Sequence, residues 1–247
     1  MILCIDVGNS AVKFGVFENS KLINSKSCLY NKSWDKEKWE EVVKYTNIFS
    51  YDFKEAIYST VVPELNNTLK EVIKSKGITV KDVDQSKVPF NKDIKKGEMI
   101  GDDLFADLVG AMNIYKSPMI VIDLGTATKF LVVDNKGYFK YALIHPGLSL
   151  CANSLFNNAS LLNAFDFRET SSALADNTED AINSGIILGH YEMINGLCNR
   201  IESELGYKCQ RIITGGSTRF ISKFLNSTYT YNESLNLVGL EIISRSL

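Results

Sequence analysis

Nowhere in the 247 residues is there a cluster of lysine and arginine, a C-x-x-C pair, or an apolar run long enough to span a membrane. The first absence, with a formal net charge of −2, leaves no electrostatic footprint for a nucleic-acid partner. The short run Lys92-Asp93-Ile94-Lys95-Lys96 mixes both signs and reads as a solvated loop. Five cysteines (Cys4, Cys28, Cys151, Cys198, Cys209) are odd in number and scattered. They fit reduced, mostly buried thiols, and neither a disulfide frame nor a zinc site. The two histidines, His145 and His190, lie far apart in the chain without ligand spacing, so neither reads as metal-binding. No basic n-region or signal-type apolar stretch opens the sequence, and Lys and Asp interrupt every apolar run. The expectation is a soluble cytoplasmic protein with no membrane partner. The two tryptophans, Trp34 and Trp39, fall on a charged helical pattern from Trp34 to Tyr45 and read as packing anchors.

What is present is core-forming material: 45% hydrophobic against 23% charged residues, enough for one large domain or two ordinary ones. An apolar strand from Met1 to Ile5 stops at Asp6-Val7-Gly8-Asn9-Ser10, resumes over Val12–Phe17, turns at Glu18–Lys21 and begins again at Leu22. The pattern returns in mid-chain. Met119–Ile122 stops at Asp123-Leu124-Gly125-Thr126-Ala127-Thr128, Phe130–Val133 follows, Asp134–Gly137 turns, and Tyr138–Ile144 closes the meander. Such internal likeness predicts two domains on one plan, 1–116 and 117–247. Helical periodicities over Glu64–Lys76, after Gly101, over Asp180–Asn195 and over Leu235–Ile243 alternate with strands such as Gln210–Ile213, which indicates an α/β class. No Pro-, Gly- or Ser-rich linker parts the halves, so they are expected to pack with a cleft between them.

The repeated turn has the chemistry a triphosphate needs. Gly8 and Gly125 remove the Cβ that would hold phosphate away. Asn9, Ser10, Thr126 and Thr128 offer side-chain donors, and the amides of the turns, including that of Ala127, can form an anion-binding concavity. Asp6 and Asp123 can hold a cation, and Lys13 can reach a phosphate oxygen as a point charge. Turn chemistry alone explains one Asp-x-Gly; two in matching contexts point to nucleotide phosphate. Asp102 fits a helix N-cap, which puts Asp103 in the first turn, where a carboxylate can take a hydroxyl proton. Thr214-Gly215-Gly216-Ser217 follows a strand and admits close approach of a flat or charged ligand.

Taken in order, these motifs resemble the type III pantothenate kinase family, of the superfamily that includes acetate kinase, sugar kinases, actin and heat-shock chaperones. The likeness runs over nearly the whole chain: Asp6-x-Gly8-Asn9-Ser10 with Lys13, Ser59-Thr60-Val61-Val62-Pro63, Gly101-x-Asp103, Asp123-x-Gly125-Thr126-Ala127-Thr128, Pro146-Gly147-Leu148, Asn177-Thr178, Ser184-Gly185 and Thr214-Gly215-Gly216. It implies two ribonuclease-H-like domains and a homodimer that phosphorylates pantothenate from ATP, the first step towards coenzyme A. It also implies roles for particular residues. Asp103 is the general base, and Asp6 holds Mg²⁺ through water. Asp123 helps bind a monovalent cation, K⁺ or NH₄⁺. Gly101, Asp102, Asp103 and Leu104 line the substrate, and Thr178 reaches the substrate of the other subunit. Leu104 stands where the family usually has arginine, Lys129 where it often has threonine, Leu131 where it often has aspartate, and Tyr141-Ala142 where it has a Gly-Gly pair. Two alternatives stay open: a kinase for another small hydroxylated substrate, and a non-catalytic nucleotide-binding regulator of the same fold.

Overall fold

A computed structural model describes residues 1–62, 66–91, 100–159, 164–170 and 172–247. The expected loop Lys92–Lys96, Pro63, and the first residues of the helix expected at Glu64–Lys76 lie outside the described residues.

The chain divides into two compact units, each with one five-stranded sheet. In the first, β1 (Ile2–Val7), β2 (Ala11–Glu18) and β3 (Lys21–Leu29) form the expected antiparallel meander. β4 (Glu55–Thr60) then pairs parallel to β1, and β5 (Thr79–Asp82) parallel to β4. The resulting order is β3-β2-β1-β4-β5. Helices α1 (Lys36–Tyr45), α2 (Asn66–Lys74), α3 (Asp102–Ile114) and α7 (Leu235–Ser244) complete this unit. α1 starts two residues later than expected because Asp35 caps it, accepting from the Lys38 N–H at 2.8 Å. Trp39 is fully buried and meets Trp34 edge-on at 5.0 Å, so both act as packing anchors.

Side-chain alternation assigns the two faces of this sheet. Leu3, Ile5, Val7, Val12, Phe14 and Val16 join Trp39, Val43, Leu69 and Val72 in one core. Cys4, Phe17 and Ile57 join Phe105, Val109, Leu237 and Leu240 in another. Asp6, Lys13 and Ser59 share parity with Cys4, Phe17 and Ile57, and therefore the face that carries α3 and α7.

The second unit repeats the plan. β6 (Met119–Leu124), β7 (Ala127–Val133) and β8 (Phe139–Pro146) form a meander, with β9 (Gln210–Thr214) parallel to β6 and β10 (Tyr229–Tyr231) parallel to β9. The order β10-β9-β6-β7-β8 is that of the first sheet read from the other edge. α4 (Leu148–Asn158), α5 (Thr178–Leu205) and the short α6 (Thr218–Ile221) belong to this unit. α5 runs for 28 residues, well beyond the expected Asp180–Asn195. Asn177 caps its start, accepting from Asp180 N–H at 2.9 Å, and Gly206 in the left-handed region at φ 76° stops it.

The units differ from the expected 116/117 division in one element: Ser234–Leu247 groups with the first unit. Leu237, Leu240 and Ile243 bury their apolar face with Phe105 and Val109, a partner that sequence order does not disclose. The crossing of α7 over α3 is close enough to require glycine. A Cβ on Gly110 would sit 2.6 Å from the Leu235 carbonyl, and one on Gly239 would fall inside the Ala106 carbonyl. Because the obstacle is backbone, Gly239→Ala is expected to cost about 3 kcal/mol through overpacking. The urea midpoint reads this out, and a loss below about 1 kcal/mol would contradict the close crossing.

Candidate functional site

The first Asp-x-Gly turn links β1 to β2. Its backbone closes through Gly8 N–H to Ala11 O at 3.0 Å, and the Tyr30 hydroxyl donates to Gly8 O at 2.6 Å. Sequence reading missed Tyr30, whose only signal is position in the third strand's exit. Asp6 is buried near the end of β1 at 7% exposure, while Asn9 and Ser10 are exposed at the tip. Strand register sets Asp6 opposite Lys13 on β2 and opposite Ser59 on β4. Ser59 Oγ is buried and finds no hydrogen-bond partner among the described residues. Such an atom is costly unless a ligand supplies its partner. A carboxylate and a hydroxyl side by side are hard oxygen donors, so this set fits Mg²⁺.

Gly101 and Asp103 lie in the same unit. Phe105 N–H donates to Gly101 O at 2.9 Å, which makes Gly101 the N-cap of α3 and corrects the assignment of that role to Asp102. Asp102 and Asp103 both occupy the first turn, where the helix dipole favours carboxylates. Asp102 accepts from Gln85 Nε2 at 2.9 Å, and the same amide donates to Ile100 O at 2.7 Å. Burial raises the Asp102 carboxyl above the ordinary range; the Gln85 hydrogen bond opposes this and the nearby Asp103 adds to it. Asp103 Oδ1 accepts from the Leu104 N–H at 2.8 Å, and Asn236 Nδ2 donates to the Asp103 carbonyl at 3.2 Å. A Cβ on Gly101 would lie 2.7 Å from Asp103 Oδ1, so glycine here leaves the carboxylate its seat.

In the second unit three of the predicted motifs converge. The Asp123–Thr128 turn closes through Gly125 N–H to Ala127 O at 3.1 Å. Gly147 N–H donates to Thr126 O at 3.0 Å, and a Cβ on Gly147 would sit 2.5 Å from both Gly125 O and Thr126 O. Gly215 adopts φ +94°, with Leu124 N 2.5 Å and Asp123 Oδ1 2.6 Å from where its Cβ would be, so only glycine closes the loop onto the turn. Gly216 faces open space, and Thr126 is exposed. Register sets Asp123 opposite Lys129 on β7 and opposite Thr214 on β9, the same arrangement as Asp6 with Lys13 and Ser59. Thr214 Oγ1 is also buried without a partner among the described residues. Lys129 Nζ stands 3.0 Å from Asp123 Oδ2, with side chains only 18% and 14% exposed. That carboxylate already carries an ammonium, so the residues present do not fit a further monovalent cation on it.

Thr128 faces the other side of the sheet, where its hydroxyl meets His190 Nε2 at 2.8 Å. Burial, with His145 adding repulsion, lowers the His190 pKa to about 4. Thr178 is the first residue of α5 and is exposed. The histidines that looked unrelated in sequence have ring centroids 5.7 Å apart. Of the five cysteines, all free, only Cys4 and Cys198 are buried; the other three are half-buried, more exposed than expected. Among the described residues no helix is long and apolar enough to cross a membrane.

A sheet of order 3-2-1-4-5 made twice, each copy with an Asp-x-Gly turn after its first strand, defines a duplicated α/β class of fold. Solved structures agree at the level of fold. A conserved Baf family protein from Campylobacter jejuni, described as a candidate transcriptional activator, superposes with TM-score 0.62 at 18% identity over 98% of this chain and 97% of its own. The activator of 2-hydroxyisocaproyl-CoA dehydratase from Clostridium difficile, solved with ADPNP, gives 0.53 at 13% identity over 99% and 95%. Within that class the assignment is specific: residues 2–200 match the model of type III pantothenate kinase, and the chain belongs to that family. The type III pantothenate kinases of Persephonella marina (30% identical, over 97% of this chain and 96% of theirs) and Citrifermentans bemidjiense (29%, over 98% of each) are similar along their full length.

Proposed function

We propose that the protein phosphorylates the primary hydroxyl of pantothenate from ATP, giving 4′-phosphopantothenate and ADP, the first step of coenzyme A biosynthesis. The observation that carries this reading is the seat of Asp103, left open by Gly101 on the sheet face that also bears Asp6 and Lys13. Asp103 takes the hydroxyl proton as the substrate oxygen bonds to the γ-phosphorus and the bond to the β-phosphate oxygen breaks. Lys13, Asn9 and Ser10 contact phosphate in the first unit, where Gly8 has no Cβ to hold it away. Gly125, Thr126, Ala127, Gly215 and Gly216 do so in the second, whereas Thr128, expected among them, is buried on the other face with its hydroxyl on His190. Mg²⁺ bound at Asp6 would neutralise phosphate charge. Family likeness further supports a cytoplasmic homodimer in which Thr178 of one copy contacts pantothenate held by the other. Purified protein supplied with Mg-ATP should release ADP only when pantothenate is added. ADP release without pantothenate, or with another hydroxy acid only, would overturn the substrate assignment.

Leu104 tunes this reading. It follows Asp103 directly and offers no side-chain donor for the pantothenate carboxylate. A hydrogen bond to a charged group contributes about 1.5–3 kcal/mol. Leu104→Arg is therefore expected to lower KM for pantothenate about tenfold with little change in kcat, as steady-state kinetics would show. An unchanged KM would mean that another cation already serves the carboxylate.

A further inference from the structure

We propose that His145, Cys151 and His190 form a binding site for a divalent cation of the zinc class, beside the second turn and distinct from the Mg²⁺ donors at Asp6. The three side chains come from three elements: the end of β8, the first turn of α4, and the middle of α5. One ligand atom from each lies within 4.8 Å of the others. Tetrahedral zinc places nitrogen and sulfur ligands about 3.3–3.6 Å apart, so closure of about 1 Å assembles the set. Cys151 can supply it, since its Sγ makes only a weak 3.7 Å contact to the Pro146 carbonyl.

Both imidazoles are already held in the manner of metal ligands, one ring nitrogen on an oxygen and the other directed elsewhere. His145 Nδ1 lies 2.7 Å from Pro146 O, to which it donates its proton, leaving the Nε2 lone pair for a metal. His190 Nε2 rests on Thr128 Oγ1 and is buried, leaving Nδ1. Its lowered pKa supplies neutral imidazole at pH 7. Two imidazoles and a thiolate select a borderline-soft ion and not the hard Mg²⁺, and three protein ligands leave one position for water. Because the thiol must give up its proton, affinity should rise with pH. Occupancy would also fix the Thr128 hydroxyl through His190, which couples the ion to the phosphate-binding turn.

Cobalt and zinc test this on the full-length protein. Co²⁺ should bind one per chain with a near-ultraviolet thiolate-to-cobalt charge-transfer band and visible bands of tetrahedral strength. Cys151→Ser should abolish the charge-transfer band. Cys151→Ser and, separately, the half-buried His145→Gln should each weaken Zn²⁺ binding by about tenfold or more in competition with a chromophoric indicator. Cys28→Ser, which alters a thiol outside the cluster, should change neither. A titration lacking the thiolate band, or wild-type Zn²⁺ affinity in the Cys151 and His145 variants, overturns the site. These readouts need no turnover, so they stand apart from the kinase assay.

Discussion

Replacing Asp103 by asparagine is expected to lower kcat about 10³-fold, the middle of the range that a general base contributes, without a change in melting temperature. The substitution is selective for structural reasons. Asparagine keeps an Oδ1 that can accept the Leu104 N–H, as Asp103 does at 2.8 Å, and it leaves the Asn236 contact to the backbone carbonyl in place. What it removes is the ability to take a proton. Affinity for ATP should stay within a few-fold, since Asp6 and Lys13 are untouched. Asp102 is the necessary comparison, because burial raises its carboxyl and brings it nearer to neutral pH. Its Oδ1 is tied to Gln85, however, and that tether suits a positioning role. Asp102→Asn should therefore cost far less than Asp103→Asn in kcat. The reverse order would move the base to Asp102, and wild-type turnover in both variants would remove a carboxylate base from the first turn of α3 altogether.

Most of the fold was legible because its signals are local. Alternating apolar residues ended by Asp-x-Gly turns gave both meanders, and helical spacing gave α3, α7 and the core of α5. β4, β5, β10 and α4 were not identified as elements. The three strands pair parallel at a distance in sequence, and Glu55–Thr60 and Thr79–Asp82 are short runs whose identity depends on the neighbour they find. The site was legible wherever a motif is contiguous and illegible wherever register assembles it. Ser59 and Thr214 became partners of the two aspartates only through parallel pairing. Lys129 was hidden by turn length. β1 and β2 are separated by Gly8–Ser10, whereas β6 and β7 are separated only by Gly125 and Thr126, so matching the sequences by their aspartates leaves the lysines one residue out of step. His145, Cys151 and His190 have no motif at all, since strand end, helix start and helix middle bring them together.

Turnover in a buffer whose only monovalent cation is choline should equal turnover in K⁺ or NH₄⁺. The resemblance implies a monovalent cation at Asp123, yet Lys129 Nζ stands 3.0 Å from that carboxylate, on the facing position of the paired strand. The pair is largely withdrawn from solvent, and an ammonium so placed offers the carboxylate the charge a bound K⁺ would bring, without a binding equilibrium. Lys129→Thr takes this cation away and leaves room at the carboxylate. In choline the variant should lose about 10–100-fold in kcat/KM, the range that corresponds to 1.5–3 kcal/mol for a hydrogen bond to a charged group. Added K⁺ or NH₄⁺ should restore most of that loss and should raise the melting temperature of the variant while leaving the wild type unmoved. Strong K⁺ dependence of the wild-type enzyme would defeat the idea that Lys129 is a built-in cation. A Lys129→Thr enzyme that K⁺ rescues in neither rate nor melting would instead make Lys129 a second phosphate lysine, the counterpart that register already makes it of Lys13.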